Sequence, residues 1–209
     1  MAKAIAAAGA TAVALPLLII LLLSTAPAPQ APGSAGLGSA VAAQAADALG
    51  GTPTRTARAD IPTAYLAWYM DAARTCPGLP WSVLAGIGTV ESDNGQSRAP
   101  GVRSGANFAG AEGPMQFEAA TFAQYAAGPD QPLSIYDPAD AIYTAAAMLC
   151  AKGARGGSAS GIEQAVFAYN HADWYLSEVM SWAARYAAQG GSNAAATAIA
   201  FAKTQLGKP

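Results

Sequence analysis

Charged side chains are scarce in this chain of 209 residues, because Asp, Glu, Lys and Arg together make up only 11% of it. The formal net charge is -2, and no basic stripe is present that could neutralise a phosphate backbone. The composition therefore excludes nucleic acid as an expected partner. A chain of this length is long enough for one domain of ordinary size with extensions.

Histidine and cysteine are equally scarce, with one His and two Cys. A lone His171 cannot form a multi-histidine zinc site, and no His/Cys cluster has ligand spacing, so no metal centre is expected. Cys76 and Cys150 both fall on apolar helical faces of a chain that carries an export-type N-terminus. In an oxidising compartment such a pair favours a disulfide; two buried free thiols, or one thiol acting as a nucleophile with His171, are the alternatives.

Alternation of apolar and polar residues, the mark of a half-buried strand, is also absent, whereas helical spacing recurs along the chain. The last helix, for example, has one face formed by Tyr175, Val179, Trp182 and Tyr186. From residue 93 to 113 glycine, serine and asparagine predominate, which predicts a loop. The fold class predicted is mainly α, with a small extended or loop region beside a cleft, and helices are expected to begin near Asp60, Pro80, Ala119, Asp137, Ser160 and after His171.

The ends of the chain differ in composition from its middle. Residues 1–23 contain roughly the twenty apolar residues that span a bilayer, which indicates a signal anchor, transmembrane segment or cleaved signal. An uncleaved anchor is favoured because the nearest cleavage candidates are each followed by proline, at Ala26, Ala28 and Ala31. Residues 24–59 predict a flexible Ala/Pro/Gly-rich linker, residues 60–188 a globular domain, and residues 189–197 a second linker.

One carboxylate lies on an apolar helical stripe. Leu84, Ile87 and Glu91 are spaced i, i+3 and i+7, so they share one face of the helix, and that face should be buried. Loss of solvation and the carbonyls of the last helical turn would both raise the pKa of Glu91, and a carboxyl group with a raised pKa can act as a general acid. The alternative is an exposed helix-end residue or a buried ion-pair partner.

Three short motifs occur in a suggestive order: Val90-Glu91-Ser92, Gly110-Ala111-Glu112-Gly113-Pro114-Met115-Gln116-Phe117 and Ala168-Tyr169-Asn170-His171. Together they resemble the motifs of lysozyme-like lytic transglycosylases, especially exported actinobacterial forms, over roughly residues 61–188. One departure is Asn94, where close relatives would have a histidine. That position would make a groove-side contact.

The resemblance implies cleavage of peptidoglycan between N-acetylmuramic acid and N-acetylglucosamine, with Glu91 acting as acid and then as base to leave an anhydro-muramoyl end. No metal or organic cofactor is implied. The substrate-binding roles implied by the same resemblance differ between residues. Ser92 and Gln116 would orient Glu91 or the sugar, and Met115 would line the floor of the groove. Tyr169 and Asn170 would hold the acid and the muramoyl acetamido group. Tyr186, on the buried face of the last helix, would support Glu91, and a core tyrosine is the alternative.

Two other functions stay open. A hydrolytic muramidase would need a second carboxylate across the scissile bond, for which the candidates are Asp93, Glu112 and Glu118. A non-catalytic glycan-binding module would keep the groove without turnover.

Residues 198–209 resemble the first helix of an NlpC-type endopeptidase domain, and an amphipathic tail is the alternative. The expected location is extracytoplasmic, either anchored to the membrane through the N-terminal segment or secreted to the cell wall. The expected partners are peptidoglycan strands and the membrane, and a monomer is expected.

Overall fold

The structure of the protein is a computed structural model, and it describes residues 49–187. The predicted membrane segment 1–23, most of the predicted linker 24–59, and the predicted segments 189–197 and 198–209 lie outside the described residues. Within residues 49–187, no helix combines the length and the apolar character needed to cross a membrane.

Helices dominate the described part of the chain, which confirms the mainly α class. Two short strands form the only sheet there, an antiparallel ladder that pairs Ala111 with Glu118 and Glu112 with Phe117. In chain order the elements are α1 Arg55–Asp60, α2 Thr63–Arg74, α3 Trp81–Ser92, β1 Ala111–Glu112, β2 Phe117–Glu118, α4 Ala119–Tyr125, α5 Pro138–Leu149, a π-helical turn Cys150–Ala154, α6 Ala159–Tyr169 and α7 Asp173–Ala187.

Helix α3 lies at the centre of the domain and is buried almost all round, as expected for a helix that is apolar on every side. Its closest neighbour is α7. A Cβ atom added to Gly86 would stand 2.5 Å from the carbonyl oxygen of Val179, so the two backbones touch there without an intervening side chain. A glycine inside a helix costs about 1 kcal/mol relative to alanine, and the close approach of α7 explains why it is nevertheless present.

The C-terminus of α3 is closed by two residues in the left-handed region. Asp93 has φ 53° and Asn94 has φ 54°, a conformation that Asp and Asn tolerate better than other side chains. The Asn94 N–H donates to the Gly88 carbonyl at 2.9 Å and the Asp93 N–H to the Thr89 carbonyl at 2.9 Å. This left-handed ending turns the chain sharply after Ser92 and leaves Glu91 in the last turn of the helix.

The predicted linker boundary at residue 59 is wrong. Ala57 of α1 is fully buried, the Trp81 indole N–H donates to the Gly51 carbonyl at 2.7 Å, and the Ser82 hydroxyl donates to the Leu49 carbonyl at 2.6 Å. The Thr54 N–H and hydroxyl also donate to the carbonyls of Tyr186 and Arg185, and Leu49 packs against the core. Residues 49–59 therefore contact the domain mainly through hydrogen bonds and scattered small contacts rather than through an apolar stripe. Composition alone could not reveal such contacts, so the globular part begins earlier than predicted.

One predicted helix start also differs in detail. Helix α6 begins after Ser158, whose hydroxyl accepts from the Gly161 N–H at 3.1 Å, and not at the capping-box pattern of Ser160. The chain has already turned at the two preceding glycines, which have positive φ, so Ser158 is the first residue placed to cap the helix. Asp137, in contrast, caps α5 as predicted, accepting from the Ala139 and Asp140 N–H groups.

The predicted disulfide is confirmed. Cys76, just after α2, and Cys150, just after α5, are joined with an S–S distance of 2.10 Å and a Cα–Cα distance of 5.6 Å. Both cysteines of the sequence are therefore used, and no free thiol remains. A cysteine hydrolase has no nucleophile in this protein.

Candidate active site

Glu91 lies near the end of α3, with Leu84 and Ile87 of the predicted stripe fully buried beneath it. Glu91 as a residue is partly exposed, although its carboxyl group is largely removed from water. Its Oε1 accepts a hydrogen bond of 2.6 Å from the hydroxyl of Tyr175 on α7. The only ion pair among residues 49–187 joins Arg74 and Asp71, so no cation balances the charge of Glu91 there.

This environment changes the proton affinity of Glu91. Burial raises its pKa from the ordinary value of 4.5 to about 7, and the hydrogen bond from Tyr175 acts in the opposite direction without cancelling the rise. At neutral pH the carboxyl group is therefore present in both protonation states. A group with a pKa near the working pH can donate a proton in one step and accept one in the next.

Tyr175 keeps its proton under the same conditions. It is 1% exposed, and burial, followed by the nearby charge of Glu91, raises the pKa of its hydroxyl well above the ordinary value. Tyr175 is therefore a permanent neutral donor to Glu91. The sequence placed it on the buried face of the last helix but did not identify it as the partner of the carboxylate.

Tyr169 connects the end of α6 to the same site. Its hydroxyl donates to the Met115 carbonyl at 2.8 Å, and its ring lies parallel to that of Tyr175, with 6.4 Å between centroids and 4° between planes. The ring also lies against Phe117, at 5.3 Å between centroids. Tyr169 thus brings the third sequence motif into contact with the second, beside the partner of Glu91.

The turn between β1 and β2 has a tightly specified backbone. Gly113 has φ 75°, and a Cβ atom there would stand 1.9 Å from the Ile135 carbonyl oxygen. Gln116 has φ 48°, and its side-chain amide donates to the Gly113 carbonyl at 2.7 Å and accepts from Asn107 at 3.0 Å. The amide of Gln116 therefore closes the turn, and it makes no hydrogen bond to Glu91 among the described residues.

Ser92 joins this turn to α3. Its hydroxyl donates to the Pro114 carbonyl at 2.5 Å and accepts from the Gly95 N–H at 2.8 Å. With 2% of its surface exposed, Ser92 lies under the turn. The three motifs of the sequence therefore meet around Glu91, each through a backbone carbonyl or a tyrosine hydroxyl.

Residues 68–194 match the family model described as the Transglycosylase SLT domain. The chain belongs to this family. The matched range includes Glu91, the β1–β2 turn, Tyr169 and Tyr175, so it contains the whole site. No curated protein and no solved structure matches the chain. Membership establishes a lysozyme-like, mainly α fold and, in general terms, lytic transglycosylase activity on peptidoglycan.

Some residues assigned to the groove lie elsewhere in this SLT domain. Met115 is fully buried, so its side chain is not available to line a groove, while its carbonyl accepts a hydrogen bond from Tyr169. Asn94 is also fully buried; it accepts from the Tyr69 hydroxyl at 3.0 Å and donates to the Thr89 hydroxyl at 3.1 Å. The predicted groove-side contact of Asn94 is wrong, because the left-handed end of α3 turns its side chain into the core.

Tyr186 is not the residue that supports Glu91. It is fully buried, and its hydroxyl lies 2.9 Å from that of Thr89. Thr89 and Glu91 are two positions apart on α3, and residues at that spacing do not share a face of a helix. The sequence pattern predicted the correct face of α7 but the wrong tyrosine on that face.

Asn170 ends α6 and is partly exposed. Its backbone N–H donates to the Val166 carbonyl, whereas its side-chain amide has no hydrogen bond to another described residue. His171 follows it, exposed, with its ring against that of Phe167. Among the residues predicted to bind substrate, Asn170 is the one whose polar side chain is free to meet a ligand.

None of the three candidate second carboxylates is hydrogen-bonded to Glu91 in the described part of the chain. Asp93 and Glu118 are exposed, the first at the left-handed end of α3 and the second as the residue before α4. Glu112 is partly buried and accepts a hydrogen bond from the hydroxyl of Tyr136. Each of the three therefore has a position that a loop or surface charge would have.

Proposed function

We propose that Glu91 is the acid and base of a lytic transglycosylase that cuts peptidoglycan between N-acetylmuramic acid and N-acetylglucosamine. The observation that carries this proposal is a largely buried carboxyl group with one neutral hydrogen-bond donor and a pKa raised to about 7. A carboxylate in water would be almost fully ionised at neutral pH and could not protonate a leaving group efficiently.

The proposed reaction has two proton transfers by the same group. Protonated Glu91 gives its proton to the glycosidic oxygen as the bond between that oxygen and the anomeric carbon breaks. The resulting carboxylate then takes the proton of the muramoyl primary hydroxyl, whose oxygen forms a new bond to the anomeric carbon. The product ends in an anhydro-muramoyl residue, and no water is consumed.

The arrangement of carboxylates supports this lyase reaction over hydrolysis. A hydrolase of the usual kind uses a second carboxylate to activate water or to attack the sugar. The candidates Asp93 and Glu118 are exposed surface residues, and Glu112 is engaged with Tyr136. Ring closure by the muramoyl hydroxyl needs no such residue, because the nucleophile is part of the substrate.

The surrounding residues would act mainly by positioning. Tyr175 donates to the Glu91 carboxylate and stabilises its charged form between the two proton transfers. Ser92, Gln116 and Tyr169 hold the β1–β2 turn against α3 and α6. Asn170, whose amide is free within the described structure, is proposed to bind the acetamido group of the muramoyl sugar.

An extracytoplasmic location is proposed on two grounds. The Cys76–Cys150 disulfide is the kind of bond that persists in oxidising compartments, and the apolar run in residues 1–23 is suited to export or membrane attachment. Fractionation of cells that express the whole chain should recover the protein with membranes or the wall. Recovery in the cytosol with both thiols reduced would contradict the location.

Product analysis tests the reaction itself. Purified peptidoglycan digested with the protein should yield muropeptides that end in anhydro-muramoyl residues, which mass spectrometry separates from reducing-end products by the mass of one water molecule. Reducing ends would assign the protein to the hydrolytic muramidases, and Asp93, Glu112 and Glu118 would then be replaced in turn. Binding of glycan without any cleavage would leave a non-catalytic module.

A further inference from the structure

Three aspartates lie together at the start of α5, outside the site described above. Asp130 belongs to the loop after α4, Asp137 caps α5, and Asp140 is in the first turn of that helix. One carboxylate oxygen from each lies within 4.8 Å of those of the other two. No described Lys or Arg forms an ion pair with them. Three groups of like charge are therefore close together without a protein cation between them.

Asp140 is buried with an unused oxygen. Its side chain is 1% exposed, and Oδ2 accepts from the Ser134 N–H at 2.9 Å. Oδ1, in contrast, is buried and has no hydrogen-bond partner among the described residues. A carboxylate oxygen removed from water without a partner is costly, and buried charges are normally paired or bound to a metal ion.

The unused oxygen lies against the loop that carries Asp130. A Cβ atom added to Gly128 would stand 2.1 Å from Asp140 Oδ1, so this oxygen faces the loop that carries Asp130 two residues later. Asp137 uses one carboxylate oxygen, Oδ1, to accept from the Ala139 and Asp140 N–H groups, which fixes the orientation of that side chain at the helix start. The three carboxylates thus converge from a loop, a cap and a helical turn.

We propose that Asp130, Asp137 and Asp140 bind one Ca²⁺ ion. The donor set consists of carboxylate oxygens, which hard divalent cations prefer, and it lacks the nitrogen and sulfur ligands of zinc sites. Ca²⁺ binds oxygens at about 2.3–2.6 Å, so ligands on opposite sides of it stand about 5 Å apart, whereas the corresponding span for Mg²⁺ is about 4 Å. Separations within 4.8 Å are compatible with Ca²⁺ ligands, and three protein carboxylates suit Ca²⁺ better than Mg²⁺, which is usually bound through one or two.

The ion would stabilise a loop that supports the β1–β2 turn. Between the three aspartates in the sequence are Ile135, whose carbonyl lies against Gly113, and Tyr136, whose hydroxyl is bonded to the Gly105 carbonyl at 3.0 Å and to the Glu112 carboxylate. Neutralising the three carboxylates would hold this loop in place. Ca²⁺ would therefore raise the stability of the domain, and it takes no part in the proton transfers of Glu91.

Calcium titration of the whole chain tests the proposal without any measurement of activity. After treatment with a chelator, the wild-type protein should bind about one Ca²⁺ by calorimetry, with a dissociation constant in the range of extracellular sites, about 10⁻⁴–10⁻³ M. Its Tm should rise by about 3–10 °C at about 10 mM CaCl₂. MgCl₂ at the same concentration should give a clearly smaller rise.

Two variants and one control assign the effect to the cluster. Asp140→Asn and Asp130→Asn should each remove most of the calcium-dependent rise in Tm. Because Asp130 is exposed, its variant will fold even if Asp140→Asn does not. Glu178→Gln, which changes an exposed carboxylate on α7, should keep the full rise. Absence of calcium binding by the wild type, or an undiminished rise in Asp130→Asn, would overturn the proposal.

Discussion

Two tyrosines of α7 contact two polar residues of α3. One contact involves an ionisable carboxyl group, and the other involves a neutral hydroxyl. Tyr175 donates to the Glu91 carboxylate at 2.6 Å, and Tyr186 lies 2.9 Å from the Thr89 hydroxyl. Both tyrosine side chains are almost completely buried. The helices, the residue type and the burial are the same, so the difference must come from the partners on α3.

Around Tyr186 every polar group has a neutral partner. The Thr89 hydroxyl donates to the Ala85 carbonyl at 2.8 Å, so it accepts from Tyr186, and it also accepts from the Asn94 amide. Asn94 in turn accepts from Tyr69. A fully satisfied network of this kind rigidifies the core. Burial raises the pKa of the Tyr186 and Tyr69 hydroxyls, so both groups keep their protons at neutral pH.

Around Glu91, in contrast, the carboxylate does not have a full set of hydrogen-bond partners. The carboxylate has one hydrogen bond, no cation and limited solvent, and its pKa rises to about 7. The comparison separates two roles of the contact between α3 and α7. At Tyr186 every polar group has a hydrogen-bond partner, and the contact contributes stability. At Glu91 the carboxylate lacks such partners, and the contact supports proton transfer. The experiments below test that distinction, in order of decreasing effect.

The largest effect is expected from Glu91→Gln, which keeps the shape of the side chain but cannot transfer a proton. The rate of peptidoglycan cleavage should fall by about two to four orders of magnitude, the usual contribution of positioned acid–base catalysis. Glycan binding should persist. Tyr186→Phe is the matched control, because it changes the other contact and should keep a rate within a few-fold of the wild type.

The same variant should alter how stability depends on pH. The pKa of Glu91 is about 7 in the folded protein and 4.5 in the unfolded chain, so the folded state holds the proton more tightly and the wild type loses stability as pH rises through this range. Glu91→Gln has no such loss. Its free energy of unfolding should match that of the wild type near pH 4 and exceed it at pH 8 by at most about 3 kcal/mol.

Urea unfolding at both pH values measures this difference. A gap that is the same at pH 4 and pH 8 would show that burial of the Glu91 carboxylate does not raise its pKa. The extra stability at pH 8 would also show that the reactive carboxylate is maintained at a cost to the fold.

The smallest effects separate the two tyrosines. Tyr175→Phe removes the donor that lowers the pKa of Glu91, so that pKa should rise above about 7. Because the reaction begins with protonated Glu91, the decline of activity at alkaline pH should move to higher pH. Tyr186→Phe should leave the pH profile in place and lower the free energy of unfolding by about 1 kcal/mol. A shifted profile in both variants would contradict the distinction between the contacts.

Local patterns in the sequence were enough to predict much of the fold and the position of the acid. The i, i+3, i+7 spacing of Leu84, Ile87 and Glu91 depends only on helical geometry, and the structure has all three where the spacing places them. The helix Ala119–Tyr125 and the cap at Asp137 follow from propensities over a few residues. The disulfide followed from compartment and cysteine count.

Contacts that depend on how distant elements cross could not be predicted in this way. Tyr175 and Tyr186 share one face of α7, and only the crossing of α7 over α3 decides which of them meets Glu91. The burial of Asn94 depends on a left-handed turn that its sequence permits but does not require. From the sequence, Asp140 could be identified only as part of a helix start, because Asp130 approaches it from a separate loop.

The close approach at Gly86 limits how far this site can be redesigned. The backbones of α3 and α7 touch there, so the spacing between Glu91 and Tyr175 is set by main-chain atoms and not by side chains that could be exchanged for others of similar volume. Conservative repacking of the core cannot fine-tune that spacing. Transfer of the acid and its donor to another helical scaffold would therefore need both helices together with the glycine between them.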